Sequence, residues 1–330
     1  MALNMNNRIM APVLLIAFNR PDTTLKVFEQ IKKVCPPHLY IAVDGPRNDR
    51  PGEEENCKAC QDIANLVDWE CEVHTLFRKE NVGCGLGPAG AISWAFETAE
   101  ELIVLEDDCL PSLSFFYFCD ELLTRYKADK RIWIISGLSI HSGHKLFGKY
   151  DYTFARLAHT WGWATWKDRW NEFDLYMKDV PQFLEEGGCY NVYQRKRMAK
   201  AIDMRLQQVF NTIEEEVSHS WDTQWSYTRI KNGSLNIVPK LNLITNIGVS
   251  NGTHVSEESA STNLKSNELN FPLKHPHFIV CNTSYDYFHY DDYINKSLDR
   301  KIKMYVEHPM KLLKAVVRKM KKLMLLKISK

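Results

Sequence analysis

The sequence predicts an α/β protein built on a mostly parallel sheet flanked by helices. Three observations carry this. Short β-branched apolar runs each stop in polar or turn residues, as strands buried on both faces do. Helical patterns separate those runs, which is the rhythm of parallel strands joined by crossovers. The most charged strand ends then fall on one rim of the sheet, where such sheets bind their ligands.

The first run is "PVLLIAF" (12–18), leaving through Asn19, Arg20 and Pro21. "PDTTLKVFEQIKKV" opens with Pro21, Asp22 and Thr23 and sets Leu25, Phe28 and Ile31 at helical spacing, so it reads as a helix. "LYIAVD" (39–44) is the second strand and exits into "DGPR". A helix at about 53–67, a strand at "CEVHTLF" (71–77), a helix at 87–101 and a strand at "LIVLED" follow. Past about residue 130 the pattern changes. "IWIISG" (132–137) is a further strand, then comes the aromatic stretch 154–174, and six of the nine tryptophans fall between Trp161 and Trp225. A charged helical segment (about 190–216) leads to "SHSWDTQWSY" (218–227), and the polar, Gly/Ser-rich 246–263 reads as a loop.

Composition narrows the function. With 330 residues, 45% hydrophobic and 25% charged, the chain has the make-up of a soluble globular protein with a sizeable core. Nothing at the start reads as a signal peptide, and no apolar stretch is long enough to span a bilayer. Nine scattered cysteines fit reduced thiols; Cys57 and Cys60 are either a zinc or redox CxxC or two thiols on one helix. The net charge of +1 hides an asymmetry: Arg300 to Lys330 holds eleven Lys and Arg against the single acid Glu307, leaving −9 on the rest. That excludes a nucleic-acid-binding body, which needs a basic face on the folded domain. In the tail, Leu312, Leu313, Val316, Val317, Met320, Leu323 and Met324 form one face of a helix at about 308–328, with lysines and Arg318 on the other. This helix either lies on an anionic membrane surface or packs on protein; its dense lysine face favours the membrane.

Glu106, Asp107 and Asp108 end the strand Leu102–Leu105. Acidic triplets are often only solvated surface, but carboxylates crowded at a sheet rim repel one another unless a cation compensates. Oxygen-only ligation points to Mg²⁺ or Mn²⁺, which keep open positions for substrate phosphates. "NVGCGLGPAG" (81–90) is Gly-rich before a helix but has neither GxGxxG nor P-loop spacing, so it reads as a turn. Arg47, Arg156 and Lys145 are cations with no assigned partner.

"PVLLIAFNRP", "VDGPR", "NVGCGLG", "WAFETAEELIVLEDDCLPSLSFFYF", "YKADKRIWIISG" and "WDTQW" occur in the order found in GT-A glycosyltransferases. The chain resembles in particular the N-acetylglucosaminyltransferase I-like enzymes and the related bacterial family 2-like sugar transferases, over about residues 12 to 255. The resemblance implies a GT-A domain over 1–270, with a nucleotide-binding half (1–130) and an acceptor and catalytic half (131–270), and a C-terminal extension over 271–330. It implies that Ala17, Phe18, Asn19, Arg20 and Asp44 hold the nucleotide, that Asp107 meets the ribose, and that Glu106 lies nearest the nucleotide sugar. Asp108 would coordinate Mn²⁺ on the diphosphate, and Asp222 would be the base of an inverting transfer. Asp222, between Trp221 and Trp225, is either that base, made stronger by desolvation, or a helix N-cap, and Trp161, Trp163 and Trp166 either stack on an acceptor sugar face or form core. Ser250 and His254 would close over the diphosphate, His254 as a metal ligand or as a hydrogen bonder within its loop. "DTQ" departs from the family, whose pattern has a second aspartate after the base. The implied activity is metal-dependent transfer of a sugar from a nucleotide-sugar donor, UDP-linked, to a glycan or lipid-linked acceptor in bacterial surface polysaccharide synthesis, at the inner face of the cell membrane. Two alternatives stand beside it: a sugar nucleotidyltransferase, whose Gly-rich basic loop after strand one is absent from "AFNRPDTT", and an inactive membrane-associated scaffold of the same fold.

Overall fold

The computed structural model describes residues 8–214, 220–248 and 264–295. It is α/β, as the sequence predicts. Its eight-stranded sheet runs in the order β3 (Glu72–Phe77), β2 (His38–Val43), β1 (Val13–Ala17), β4 (Glu101–Glu106), β8 (Trp163–Trp166), β6 (Ile132–Ser136), β9 (Leu235–Pro239), β7 (Tyr152–Ala155). β3, β2, β1 and β4 pair in parallel, as do β6 and β9, whereas β8 and β7 run antiparallel to their neighbours. β5 (Cys109–Pro111) and β10 (Ile244–Asn246) form a separate antiparallel pair.

The apolar runs become central strands because both faces of the sheet are covered. On β1, Val13 and Leu15 join the core shared with Phe28 and Ile31 of α1 (Pro21–Val34) and Phe115 and Phe118 of α4 (Leu113–Tyr126). Leu14 and Ile16 point the other way, into the core with Ala91 and Ile92 of α3 (Gly83–Ala95). α2 (Glu53–Asp62) buries Cys57 and Cys60. Burial pushes these thiols up to about 12 and about 11, as it does for two thiols packed on one helix.

Strand order places a switch point at β1. The chain goes from β1 to β2 to β3 on one side, then returns to β4 on the other, so a crevice opens between the carboxyl ends of β1 and β4.

In the second half, the aromatic stretch contributes a strand the sequence reading lacked. Trp163 and Trp166 of β8 are each 1% exposed, on opposite faces of the sheet. Trp163 packs on Trp221, with ring centroids 5.8 Å apart, and on Trp170 and Trp225. Of the two readings of the tryptophans, Trp163 and Trp166 are therefore core, and only Trp161 remains partly exposed. Contacts divide the chain into two compact units, Met1–Asp286 and Tyr287–Lys330. In the first, Leu269 and Leu273 enter the core, and the Glu268 carboxylate accepts the Leu113 and Ser114 amides at 3.1 and 2.8 Å, capping α4 from far along the chain. Among the described residues no helix is long and apolar enough to cross a membrane, and the tail helix expected at 308–328 lies outside them.

Candidate active site

The loop leaving β1 forms one wall of the crevice. Ala17 ends the strand, 4% exposed. Phe18 lies under the Arg47 guanidinium, 5.4 Å from ring centroid to Cζ. Asn19 donates from Nδ2 to Glu53 Oε1 at 2.7 Å, and Glu53 also accepts the Arg47 backbone amide at 2.7 Å and its guanidinium. Those hydrogen bonds from Arg47 hold the Glu53 carboxyl below its usual range. Glu53, 5% exposed, is a site-organising residue that the sequence reading missed.

Arg20 closes the crevice. Its guanidinium grips Asp107 through Nε and Nη2 and reaches Asp108 Oδ2 from Nη1 at 3.1 Å. Burial alone would depress Arg20, but Asp107 and Asp108 outweigh it and hold the guanidinium above its usual value. Asp107 is 4% exposed; burial, with the Asp108 charge, pushes its carboxyl up to about 6 despite Arg20 and a bond from the Phe18 amide. Glu106 is half-buried at the end of β4, and burial followed by the charges of Asp108, Asp107 and Asp222 pushes it up to about 8. Asp108 accepts the Ile247 amide on its backbone carbonyl at 2.8 Å. The start of the expected loop, Asn246–Gly248, thus lies on the carboxylates. A Cβ on Gly248 would stand 2.6 Å from both Arg20 Nη1 and Asp108 Oδ2, so the close approach requires glycine. Ser250 and His254 lie outside the described residues.

Asp44 is 8% exposed and spends its carboxylate on the chain itself. It accepts the Gly45, Val82 and Gly83 amides at 3.1 to 3.3 Å and Asn81 Nδ2 at 3.0 Å, organising the start of α3. Burial raises its carboxyl against the pull of these amides and of Arg78. The "NVGCGLG" glycines are therefore the first turn of a helix that begins at Gly83, four residues earlier than expected, and the Val82 and Gly83 amides there are already taken by Asp44.

Asp222 arrives from the second half. It is the first residue of the helix Asp222–Lys231; Trp221 takes the capping position and no side-chain capping bond forms, so the N-cap alternative is not what the structure has. Its charge acts on Glu106 and on Cys84 at the start of α3. The expected burial between tryptophans is corrected: Trp221 and Trp225 point into the core, 5% and 0% exposed, and leave the Asp222 carboxylate in solvent. Of the cations without assigned partners, Arg47 pairs with Glu53, and the Arg156 backbone is tied to Asp286 at 3.1 Å, away from the carboxylates.

No protein-family model matches the chain, and no curated protein does. Among solved structures it is similar to the inositol-1-phosphate CTP transferase from T. maritima, at 12% identity and a TM-score of 0.32 over 50% of this chain and 74% of that one.

Proposed function

We propose that the chain is a metal-dependent glycosyltransferase of the GT-A kind, moving a sugar from a nucleotide-sugar donor, UDP-linked, to a glycan or lipid-linked acceptor. One observation carries this reading: Arg20 and the acidic triplet face each other at the switch-point crevice, with Asp108 still open to solvent. A donor phosphate group and an acceptor hydroxyl need such opposed partners, a basic and metal-binding wall and a carboxylate open to the incoming acceptor.

The residues present fit Mg²⁺ or Mn²⁺. Asp108 offers hard oxygen at the rim, is 17% exposed, and needs only one or two protein carboxylates beside substrate phosphates. Bound there, the ion would offset charge on the departing diphosphate. Arg20 holds Asp107 and Asp108 apart from each other's repulsion and presents a cation to the phosphates. Phe18, Asn19 and Arg47, locked by Glu53, form the nucleoside wall. Asp222 takes the proton of the acceptor hydroxyl as that oxygen bonds to the anomeric carbon and the sugar–phosphate bond breaks, releasing the nucleoside diphosphate. Its exposure leaves room for the acceptor. The basic tail over 308–328 would hold the enzyme on an anionic membrane face, where a lipid-linked acceptor lies.

The test is a screen of nucleotide sugars with Mn²⁺, read as thermal stabilisation and donor hydrolysis, followed by Asp222→Asn. The variant should keep donor binding and lose transfer by about 100-fold or more. Absence of response to every donor, or loss of donor binding in Asp222→Asn, overturns the reading. Removing 308–330 should free the protein from phosphatidylserine vesicles without changing donor hydrolysis.

A further inference from the structure

A second cluster of metal-type ligands stands at the other end of the sheet. β2 and β3 pair in parallel with His38 opposite Glu72 and Tyr40 opposite His74. Residues two apart on a strand share a face, so His38, Glu72 and His74 come together on the edge of the sheet. The Glu72 carboxylate faces both imidazoles, Oε2 at 3.3 Å from His38 Nδ1 and Oε1 at 3.3 Å from His74 Nε2. One ligand atom from each residue lies within 4.8 Å of the other two.

The imidazole of His74 is held in place. Its ring stacks on Tyr40 at 4.4 Å and 9°. Tyr40 is itself fixed by its hydroxyl against Thr98 Oγ1 at 2.8 Å and by an edge contact with Trp94 at 5.6 Å. A ring oriented by its neighbours is what a metal-binding histidine needs.

We propose that His38, Glu72 and His74 bind a borderline divalent transition cation such as Zn²⁺. Metal–ligand bonds of about 2.0–2.1 Å in a tetrahedron put neighbouring ligand atoms about 3.3 Å apart. Each imidazole already stands at that distance from one Glu72 oxygen, His38 from Oε2 and His74 from Oε1, and a single oxygen with the two ring nitrogens stays within 4.8 Å. Two imidazoles with one carboxylate select such an ion over Mg²⁺ or Ca²⁺, which take oxygen ligands. The three protein ligands leave a fourth position open to solvent, since the Glu72 side chain is 63% exposed.

This site is separate from the crevice. His38 begins β2 and Val43 ends it, so the strand alone sets the cluster about 16 Å from the carboxyl rim. The ion would clip the edge strand β3, whose side chains are largely exposed, to β2 and stabilise the sheet edge by binding only the paired form.

The experiment is isothermal titration of the EDTA-treated, dialysed full chain with ZnCl₂, alongside His38→Ala/His74→Ala, Glu72→Gln and Asp108→Asn. We expect one Zn²⁺ equivalent that survives Asp108→Asn and excess Mg²⁺, vanishes in the double variant and weakens at least tenfold in Glu72→Gln. Zn²⁺ should also raise the Tm of the wild type and not of the double variant. Equal Zn²⁺ binding by wild type and double variant, or displacement by equimolar Mg²⁺, overturns the proposal; it would mean that Glu72 only ion-pairs with the two imidazoles. Should the double variant fold poorly, Glu72→Gln, which keeps side-chain size, decides the matter in its place: Zn²⁺ affinity unchanged from wild type would overturn the proposal equally.

Discussion

Arg20 Nη1 lies 3.1 Å from Asp108 Oδ2, across the crevice where the strand order reverses. The acidic triplet thus has an internal counter-ion before any metal or substrate enters. Charge crowding by itself does not require a metal here, because the guanidinium already meets part of the demand. A hard cation is favoured instead by the carboxylate oxygens of the rim and their opening at the switch point.

Arg20→Ala should strand the buried Asp107 carboxylate, which is only 4% exposed. Removing one partner of a buried pair costs about 3 kcal/mol or more. Arg20→Lys keeps the charge but cannot fork across two carboxylates, so it should lose about 1 kcal/mol. Urea denaturation of both variants checks this; equal stability of wild type and Arg20→Ala would remove the pair from any structural role.

Asp108→Asn should abolish the Mn²⁺ stimulation of donor binding while leaving metal-free stability within about 1 kcal/mol of wild type, since the side chain keeps its volume and an oxygen for Arg20. Titrating donor with and without Mn²⁺ reads this directly. Stimulation that persists in the variant would move the ion elsewhere.

The parallel half of the fold was legible because β1, β2 and β4 are buried on both faces and read as unbroken apolar runs. The triplet and Arg20 were legible because each sits where such a run stops. β8 was not, since "WATW" becomes a strand only by pairing with the distant β4 and β6, a partnership no local pattern encodes. Glu53 was hidden among three consecutive glutamates, of which only it turns inward. Asp222 stands out in the sequence by its motif, but its exposure does not follow from that motif: flanking tryptophans in a sequence do not say which way they point, and here they point to the core. Asp44 was placed at the right rim, but its hydrogen bonds to Val82 and Gly83 depend on the return of a loop from β3.

Two glycines should respond differently to one added methyl group. Gly45→Ala would drive a Cβ into the Glu80 backbone, which cannot step aside, and should cost about 1–3 kcal/mol. Gly248→Ala would instead meet Arg20 Nη1 and both Oδ2 and Cβ of Asp108, so the pair facing the crevice would have to move. Both substitutions should cost stability, but only Gly248→Ala should lower donor affinity, at least tenfold. Thermal melts with and without donor separate the two; a Gly248→Ala variant with unchanged donor affinity would detach this loop from the site.

The acid limb of stability should carry a signature of His159. Burial, then the charges of Arg229 and His141, lower its imidazole to about 4, below the usual value near 6.5. The unfolded chain therefore takes up a proton at a pH where the native chain does not. Its contribution is fully present above about pH 6.5 and is lost as pH falls toward 4, at most about 3 kcal/mol across that window. His159→Asn has no such proton to bind, so the stability gap between wild type and variant should shift against the wild type between pH 7 and pH 4.5. Denaturant melts at half-unit pH steps measure that gap, and a gap independent of pH would show that His159 charges as readily folded as unfolded.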